Sequence, residues 1–261
     1  MDPSQRYFIQ LAYKGTHYHG WQVQPNAVTI QQVLNQALST VLREDIHVVG
    51  AGRTDAGVHA SCYWAHFDYS GKLEEPGHII FRLNRFLPDD IAIYGLYEVP
   101  PNAHARYDAL SRTYQYQITT IKDPFKREYA YHLFWEVDME GMNEAAKVLY
   151  RYQDFSSFSK SNTQNKTNLC EVYRAEWQRA GHMLIFTIQA NRFLRNMVRA
   201  IVGTLLETGR GRLSPEGMQK IIESRNRSQA GYSVPANGLF LTHIQYPAHM
   251  NLKPYGRKTV H

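Results

Sequence analysis

The chain has 261 residues, and its 29 Lys and Arg against 23 Asp and Glu give a formal net charge of +6 at pH 7. With 43% hydrophobic and 20% charged residues, the composition is that of a globular protein and excludes a disordered chain. No apolar run approaches the roughly 18 residues of a membrane helix, so we expect no membrane partner. The first residues lack the basic and then apolar pattern of a signal peptide, which predicts a cytoplasmic protein.

The cysteine and aromatic content indicates which kinds of site and partner the protein has. Cys62 and Cys170 are far apart and outside any CxxC pair, so the sequence predicts neither a disulfide framework nor a cysteine metal site. The modest positive charge is compatible with a polyanionic partner, and Tyr, Phe and Trp make up 13% of the chain. Flat rings beside arginine suit unstacked bases, although tyrosine is also common in β-rich cores.

The first half of the chain predicts alternating strands and helices. Thr29 and Gln32 form a capping box before the clearest helical pattern, whose apolar residues recur from Ile30 to Leu42. The other predicted elements of this half are a strand at 7–13, a loop at 14–22, strands at 46–49 and 62–69, a short helix ending before Pro88 and a strand at 91–99.

The second half repeats this plan, so we expect two similar α+β lobes divided near residues 100–110. Tyr114, Tyr116 and Ile118 alternate with glutamines, which is the two-residue period of a half-buried strand. The elements predicted after it are a helix capped by Asp138, a hairpin of 172–178 and 184–190 around Gly181, a long helix from about 193 to 208 ended by Gly209, a helix from Ser214-Pro215 and a strand at 238–246.

A glycine-rich loop at residues 50–59, with the sequence GAGRTDAGVH, follows a predicted strand. Small residues around the carboxylate of Asp55 let backbone and ligand approach closely, and Arg53 places an opposite charge two residues away. By spacing alone, a tight turn with a surface aspartate explains the loop equally well. The loop matches neither GxxxxGK[ST] nor GxGxxG, so it does not predict a phosphate-binding loop.

A basic segment at residues 191–199 combines three arginines with apolar residues. If the helix begins by Arg192, then Arg192, Arg195 and Arg199 lie within about 60° of one another on the helix surface. This pattern predicts either a phosphate-contacting face or an ordinary amphipathic helix with a solvated basic side. A third segment, at 103–108, leads into the Tyr114 strand and is otherwise explained as a connector.

The sequence carries no pattern typical of a metal or serine enzyme. Its 12 histidines form no HExxH and no dense cluster with carboxylates, and no GxSxG elbow is present. We therefore expect no metal site, and we expect the chemistry to use a carboxylate.

Residues 52–59, GRTDAGVH, resemble the signature of the TruA family of tRNA pseudouridine synthases. The resemblance continues in family order over residues 7–246, at 18–22, 104–107, 112–114, 193–203 and 238–241. One departure lies at 166–170, where family members often have Arg-Thr and a further basic residue. This departure concerns tRNA contacts and leaves the chemistry unaffected.

The resemblance implies a role for each matching residue. Asp55 matches the catalytic nucleophile, Arg199 its ion-pair partner, and Tyr114 the residue that stacks on the target uracil and is a candidate proton acceptor. Arg53 matches an arginine thought to hold the target nucleotide out of the stem. The other residues that we expect to bind substrate are Arg192, Arg195 and His59, with Lys166 and the basic tail as alternatives to the first two for phosphate contact.

The resemblance also implies the fold, the reaction and the partners. We expect two RRM-like (ferredoxin-like) lobes that share a continuous, mostly antiparallel sheet, with helices on one side and a central active-site cleft. The expected limits are 6–108 for the lobe with the aspartate loop, 109–248 for the lobe with the tyrosine strand and the arginine helix, and 249–261 for a basic tail. The expected activity is cofactor-free isomerisation of uridine to pseudouridine at positions 38, 39 and 40 of the tRNA anticodon stem-loop, by a homodimer.

Two other classes of function remain open at this point. A catalytically silent RNA-binding module of the same shape would not need the Asp55 carboxylate. A metal-assisted hydrolase built from the scattered histidines would lose its activity to chelators. Isomerisation oxidises nothing and transfers no group to another molecule, so the missing nucleotide and metal motifs agree with the synthase. Whether Asp55 attacks C6 of uracil or C1′ of ribose is also open.

Overall fold

The structure is a computed structural model that describes residues 4–160 and 167–252, and it divides into two compact units. The first unit runs to Leu110 and includes the residues from Thr242 onward, and the second runs from Ser111 to Leu241. Both units combine helices with mostly antiparallel strands, which confirms the α+β class. The finer domain limits predicted above stay predictions, and residues 253–261 of the basic tail lie outside the described part.

The first unit has the element order β-α-β-β-α-β. Its elements are β1 (Gln5–Tyr13), α1 (Ile30–Leu42), β2 (Val49–Gly50), β3 (His59–Tyr69), α2 (Pro76–Phe86) and β4 (Ile91–Val99). Strand β1 lies between β3 and β4 and is antiparallel to both, and β2 pairs with β3. Helices α1 and α2 contact each other and α2 packs on β4, so the helices form one layer against the sheet.

The predicted start of α1 is confirmed, because the Thr29 hydroxyl accepts a hydrogen bond from the backbone N–H of Gln32. The predicted strand at 46–49 is mostly wrong. Side chains of α1 take up the backbone groups there: Ser39 Oγ accepts from Ile46 N at 2.8 Å, and Asn35 Oδ1 accepts from Val48 N at 3.0 Å. Only Val49–Gly50 pairs as a strand, because the preceding residues hydrogen-bond to the helix instead of to a neighbouring strand.

The second unit is built around the strands β5 (Ser111–Thr119), β7 (Val172–Ala180) and β8 (Met183–Ala190). Strand β8 lies between β5 and β7 and is antiparallel to both, and Gly181 turns the predicted hairpin with a φ of +59°. The remaining elements are β6 (Tyr131–His132), α3 (Met139–Lys147), α4 (Met197–Gly209), α5 (Pro215–Ser224) and β9 (Leu239–Gln245). Strand β6 pairs in parallel with β5, and the point where the units divide lies within β9. Five short 3₁₀ turns complete the described part, at Val148–Arg151, Ser156–Phe158, Arg227–Gln229, Ala236–Gly238 and Ala248–Met250.

The prediction of one helix from about residue 193 is wrong at its start. Asn196 adopts a left-handed conformation with φ of +68°, and α4 begins only after it, at Met197. A turn precedes the helix, in which Met197 N donates to the carbonyl of Leu194 at 3.1 Å. Arg192 and Arg195 therefore lie outside the helix, and only Arg199 lies on it, so the three arginines do not form one helical face.

Candidate active site

In the glycine-rich loop between β2 and β3, burial differs sharply between neighbouring residues. Thr54 is buried, with 8% of its surface exposed, whereas Arg53 is exposed and Asp55 is half-buried. A turn follows in which Val58 N donates to the Asp55 carbonyl at 3.2 Å, and Gly57 supplies the required positive φ of +77°. The loop thus places the half-buried Asp55 between the buried Thr54 and the turn at Gly57.

Three side chains beneath this loop, Tyr13, Trp21 and Tyr63, form a cluster that we call the aromatic platform. The rings of Trp21 and Tyr63 are stacked at 4.1 Å between centroids, and Tyr13 packs on both at 6.2 and 5.5 Å. Tyr63 donates its hydroxyl to the carbonyl of Gly52 in the loop. The hydroxyls of Tyr13 and Thr54 share a buried hydrogen bond of 2.9 Å. The platform therefore contacts the loop at two positions two residues apart.

The segment before α1 supports the same loop through its backbone. Trp21 N donates to the carbonyl of Thr54 at 3.2 Å, and Gly57 N donates to the carbonyl of Tyr18 at 3.3 Å. Gly20 has a φ of +88°, and a Cβ at this residue would lie 2.4 Å from the Thr54 carbonyl oxygen. Only glycine allows so close an approach in this conformation.

His59, a predicted substrate-binding residue, is almost fully buried at 1% exposure. Its Nδ1 accepts a hydrogen bond from the backbone N–H of Gly15 at 3.1 Å, which ties β3 to the segment before α1. The observed contact is therefore one that holds the backbone around the loop.

Tyr114 lies on β5, opposite Ile188 of β8, with its side chain half-buried. The ring of Phe193 meets it edge-on, with centroids 5.1 Å apart and an interplanar angle of 88°. This edge-to-face contact restricts the orientation of the Tyr114 ring.

Arg199 lies in the first turn of α4 and is half-buried. Its Nε donates to the carbonyl of Val234 at 2.6 Å, while Val234 N donates to the Arg199 carbonyl at 3.2 Å. Burial raises the pKa of the nearby Tyr116, and the positive charge of Arg199 opposes this shift. The hydroxyl of Tyr116 donates to the Pro235 carbonyl at 2.8 Å, so this tyrosine is neutral and structural.

Of the other two arginines in the basic segment, Arg192 is half-buried and Arg195 is exposed. The backbone carbonyl of Arg195 accepts from Lys160 N at 3.1 Å, which anchors the turn that carries it. Lys166, the alternative phosphate contact, lies outside the described residues.

His104 of the connector at 103–108 forms a pair with His66 of β3. Burial, and then the positive charges of His104 and Arg6, lower the pKa of His66 to about 4. His66 Nδ1 accepts from the backbone N–H of Ala105 at 3.1 Å, and the rings of His66 and His104 are 4.6 Å apart. His66 therefore holds the connector as a neutral acceptor.

The residues that could bind a metal ion are scattered. Within 4–160 and 167–252, His, Cys, Asp and Glu side chains form no group of three or more that could hold one. Burial raises the pKa of the Cys170 thiol to about 11, and Cys62 and Cys170 are both free thiols. Within the same ranges no helix has the length and apolar character needed to cross a membrane.

The predicted site residues fall in both units. Three of them, Arg53, Asp55 and His59, belong to the first unit, where they lie within seven consecutive residues of the chain. The predicted site residues that belong to the second unit are Tyr114, Arg192, Arg195 and Arg199.

The sequence did not indicate the roles of Tyr13 and Tyr63, nor that of Val234. The two tyrosines lie on neighbouring strands, and only the register of β1 and β3, which pairs Leu11 with Tyr63, brings them together under the loop. The contact between Val234 and Arg199 joins residues 35 positions apart, for which the chain carries no local signal.

Comparison with known proteins agrees with the signature in the loop. A family model described as tRNA pseudouridine synthase matches residues 10–108 and 145–247. A tRNA pseudouridine synthase A from Bacteroides fragilis is 58% identical over 244 residues, which cover 93% of this chain and 97% of the relative. Relatives of the same name from Bacteroides thetaiotaomicron and Parabacteroides distasonis are 55% and 54% identical, with 93% of this chain covered in each case and 91% and 96% of the relatives.

These matches extend over most of the chain and include both the loop and the α4 region. They define an isomerase that acts on uridine in tRNA. The chain belongs to the tRNA pseudouridine synthase family.

Proposed function

We propose that the protein converts uridine to pseudouridine at positions 38, 39 and 40 of the tRNA anticodon stem-loop, with Asp55 as nucleophile and without a cofactor. The observation that carries this proposal is the placement of Asp55. Its side chain is half-buried on a loop whose backbone is held at Thr54, immediately before it, and at Val58, immediately after its turn. A nucleophile needs such a fixed position relative to its target.

The proposed reaction needs no second substrate. The N1–C1′ bond of uridine breaks, the base rotates, and a C5–C1′ bond forms, after which the proton on C5 leaves and N1 is protonated. A carboxylate nucleophile divides this into easier steps through a covalent intermediate on the base or on the sugar. The nucleotide must leave the helical stack first, at a cost of a few kcal/mol.

We assign Tyr114 to stacking on the uracil and to accepting a proton, and Arg199 to pairing with the Asp55 carboxylate. Both assignments come from the family resemblance. They are supported by the edge-to-face contact of Phe193 with the Tyr114 ring and by the hydrogen bond from the Arg199 Nε–H to the Val234 carbonyl. Because Nε is used for this hold, the Nη groups are the ones that would meet a carboxylate.

We assign substrate binding to Arg53, Arg192 and Arg195, whose charges suit phosphate groups and carry no base identity. Arg53 and Arg195 are exposed, which supports this assignment. His59 is buried, so its contribution to binding would be indirect, through its hydrogen bond to Gly15.

We propose that each unit is an RRM-like lobe, that the lobes share one sheet with a central cleft, and that a cytoplasmic homodimer binds the tRNA. The β-α-β-β-α-β order of the first unit and the antiparallel pairing of β1 with both β3 and β4 support the first part. The dimer rests on the resemblance alone, and the cytoplasmic location rests on the expectation from the sequence.

The test is release of tritium from C5-labelled uracil in unmodified tRNA. The wild-type protein should release it at positions 38–40, and Asp55→Asn should release none while binding tRNA within about tenfold of wild type, or roughly 1.4 kcal/mol. Tight binding without release by the wild type would favour a silent RNA-binding module, and loss of activity with a chelator would favour a metal-assisted hydrolase. Turnover by purified Asp55→Asn would reject the nucleophile.

Position specificity needs a separate experiment with tRNA variants. Phosphate contacts predict modification at any of the three positions that carries a uridine, whatever its neighbours, and binding that weakens steeply with salt. Modification confined to one position, dependence on a short sequence motif, or full activity as a monomer would contradict this part of the proposal.

A further inference from the structure

The aromatic platform has a feature that packing alone does not require. Two of its three members end in hydroxyls, and both hydroxyls are used on the loop: Tyr63 on the Gly52 carbonyl and Tyr13 on the Thr54 side chain. Trp21 adds its backbone N–H to the Thr54 carbonyl. Thr54 is therefore held at its side chain and at its backbone, and it is the direct neighbour of Asp55.

We propose that Tyr13 and Tyr63 are positioning residues that set the Asp55 carboxylate against the target nucleotide. The inference rests on the proposed function, in which Asp55 is the nucleophile. The two tyrosines act by fixing the backbone of the loop, and this role requires no contact between them and the substrate.

A small displacement of the loop backbone at the aromatic platform would move the Asp55 carboxylate and slow the proposed reaction. Asp55 lies between two fixed points, the Thr54 residue and the turn in which Val58 N donates to the Asp55 carbonyl. When the Thr54 side chain loses the Tyr13 hydroxyl, only the hydrogen bond from Trp21 N holds this residue, and the peptide that carries Asp55 is held less tightly at one of these points. A misplacement of about 1 Å in a reacting group lowers rates by about 100-fold.

A purely structural role is the competing explanation, because a buried tyrosine hydroxyl needs a partner wherever it lies. Tyr97 provides the matched control in the same unit. It is 5% exposed and donates its hydroxyl to Gln10 Oε1 at 2.9 Å, on β1 and β4 rather than at the loop. Tyr97→Phe removes a similar hydrogen bond and should lower thermal stability without slowing the chemistry.

The experiment measures single-turnover pseudouridine formation with saturating protein, the Kd for unmodified tRNA, and the melting temperature of each variant. Tyr13→Phe, Tyr63→Phe and Thr54→Val should each slow the reaction by about 10- to 100-fold, with the Kd within about threefold of wild type. Thr54→Ser keeps the hydroxyl and should retain most of the rate. The double variant Tyr13→Phe with Thr54→Val should be no slower than either single variant, because both remove the same hydrogen bond.

Wild-type rates in Tyr13→Phe and Thr54→Val, or a loss no larger than that of Tyr97→Phe, would overturn the inference. So would a weakened Kd that accounts for the whole effect. If either Tyr13→Phe or Thr54→Val does not fold, the other variant still tests the inference, because both remove the same hydrogen bond. Failure of the proposed function is separate, because it appears as an active Asp55→Asn.

Discussion

Gly20 lies outside the loop that carries Asp55, but its replacement by alanine should destabilise that loop. Two costs add at this residue. Alanine in the left-handed conformation, at the observed φ of +88°, costs about 1–2 kcal/mol. Its Cβ would also lie 2.4 Å from the carbonyl oxygen of Thr54, and forcing an extra methyl into such a contact costs about 1–3 kcal/mol.

The Thr54 oxygen belongs to the backbone and accepts from Trp21 N, so it cannot move aside without breaking that hydrogen bond. Together the two costs predict a loss of about 3 kcal/mol, which for a chain of this size lowers the melting temperature by roughly 6 °C. The Gly20 carbonyl accepts a hydrogen bond from Ile30 N, at the start of α1. We therefore expect the substitution to strain the start of α1 as well.

Thermal unfolding followed by circular dichroism measures this loss, with two glycine variants as controls. A Cβ at Gly52, in the same loop, or at Gly77, in α2, would meet nothing within 4 Å, and neither glycine has a positive φ. Gly52→Ala and Gly77→Ala should therefore melt within about 2 °C of wild type. If Gly20→Ala melted with them, the close approach of Gly20 to Thr54 would not exist in solution.

Three further predictions concern the second unit and the histidine pair. Tyr114→Phe should bind tRNA as wild type and turn over poorly, whereas Tyr114→Ala should also lose about 1–3 kcal/mol of binding, because it removes the stacked ring. Arg199→Lys keeps the charge but not the Nε–H that holds Val234, so the rate should fall by about 10- to 100-fold with little change in tRNA Kd. Because the pKa of His66 is lowered to about 4 from an ordinary value near 6.5, the folded state binds fewer protons, and stability should fall by at most about 3 kcal/mol as the pH drops from 6.5 to 4.

Each of these has its own control. A Tyr114→Phe variant as active as wild type in single-turnover assays would remove the hydroxyl from the mechanism. A fully active Arg199→Lys would show that charge alone is needed there. His66→Asn supplies an oxygen that can accept from Ala105 N without titrating, so it should flatten the loss of stability between pH 6.5 and 4 in denaturant titrations; an unchanged slope would assign that loss to other groups.

The features that depend on neighbours along the chain could be predicted from the sequence. The apolar spacing and the Thr29 cap placed α1 correctly, and Asp138 and Ser214 cap their helices as predicted, each accepting from a backbone N–H three residues on. Gly181 marked the hairpin because a tight turn with positive φ favours glycine. The signature at 52–59 is enough to indicate the family, since it is a contiguous string of residues.

The features that depend on contacts between distant segments could not be predicted in this way. The helix α4 begins late because Asn196 turns left-handed, and its side chain donates to Ser233, 37 residues further along the chain. Residues 46–48 do not form a strand because α1 side chains take their backbone hydrogen bonds. The aromatic platform exists because the register of β1 on β3 places Tyr13 and Tyr63 under one loop. Periodicity and capping describe only the nearest few residues, so contacts of this kind leave no trace in the local pattern.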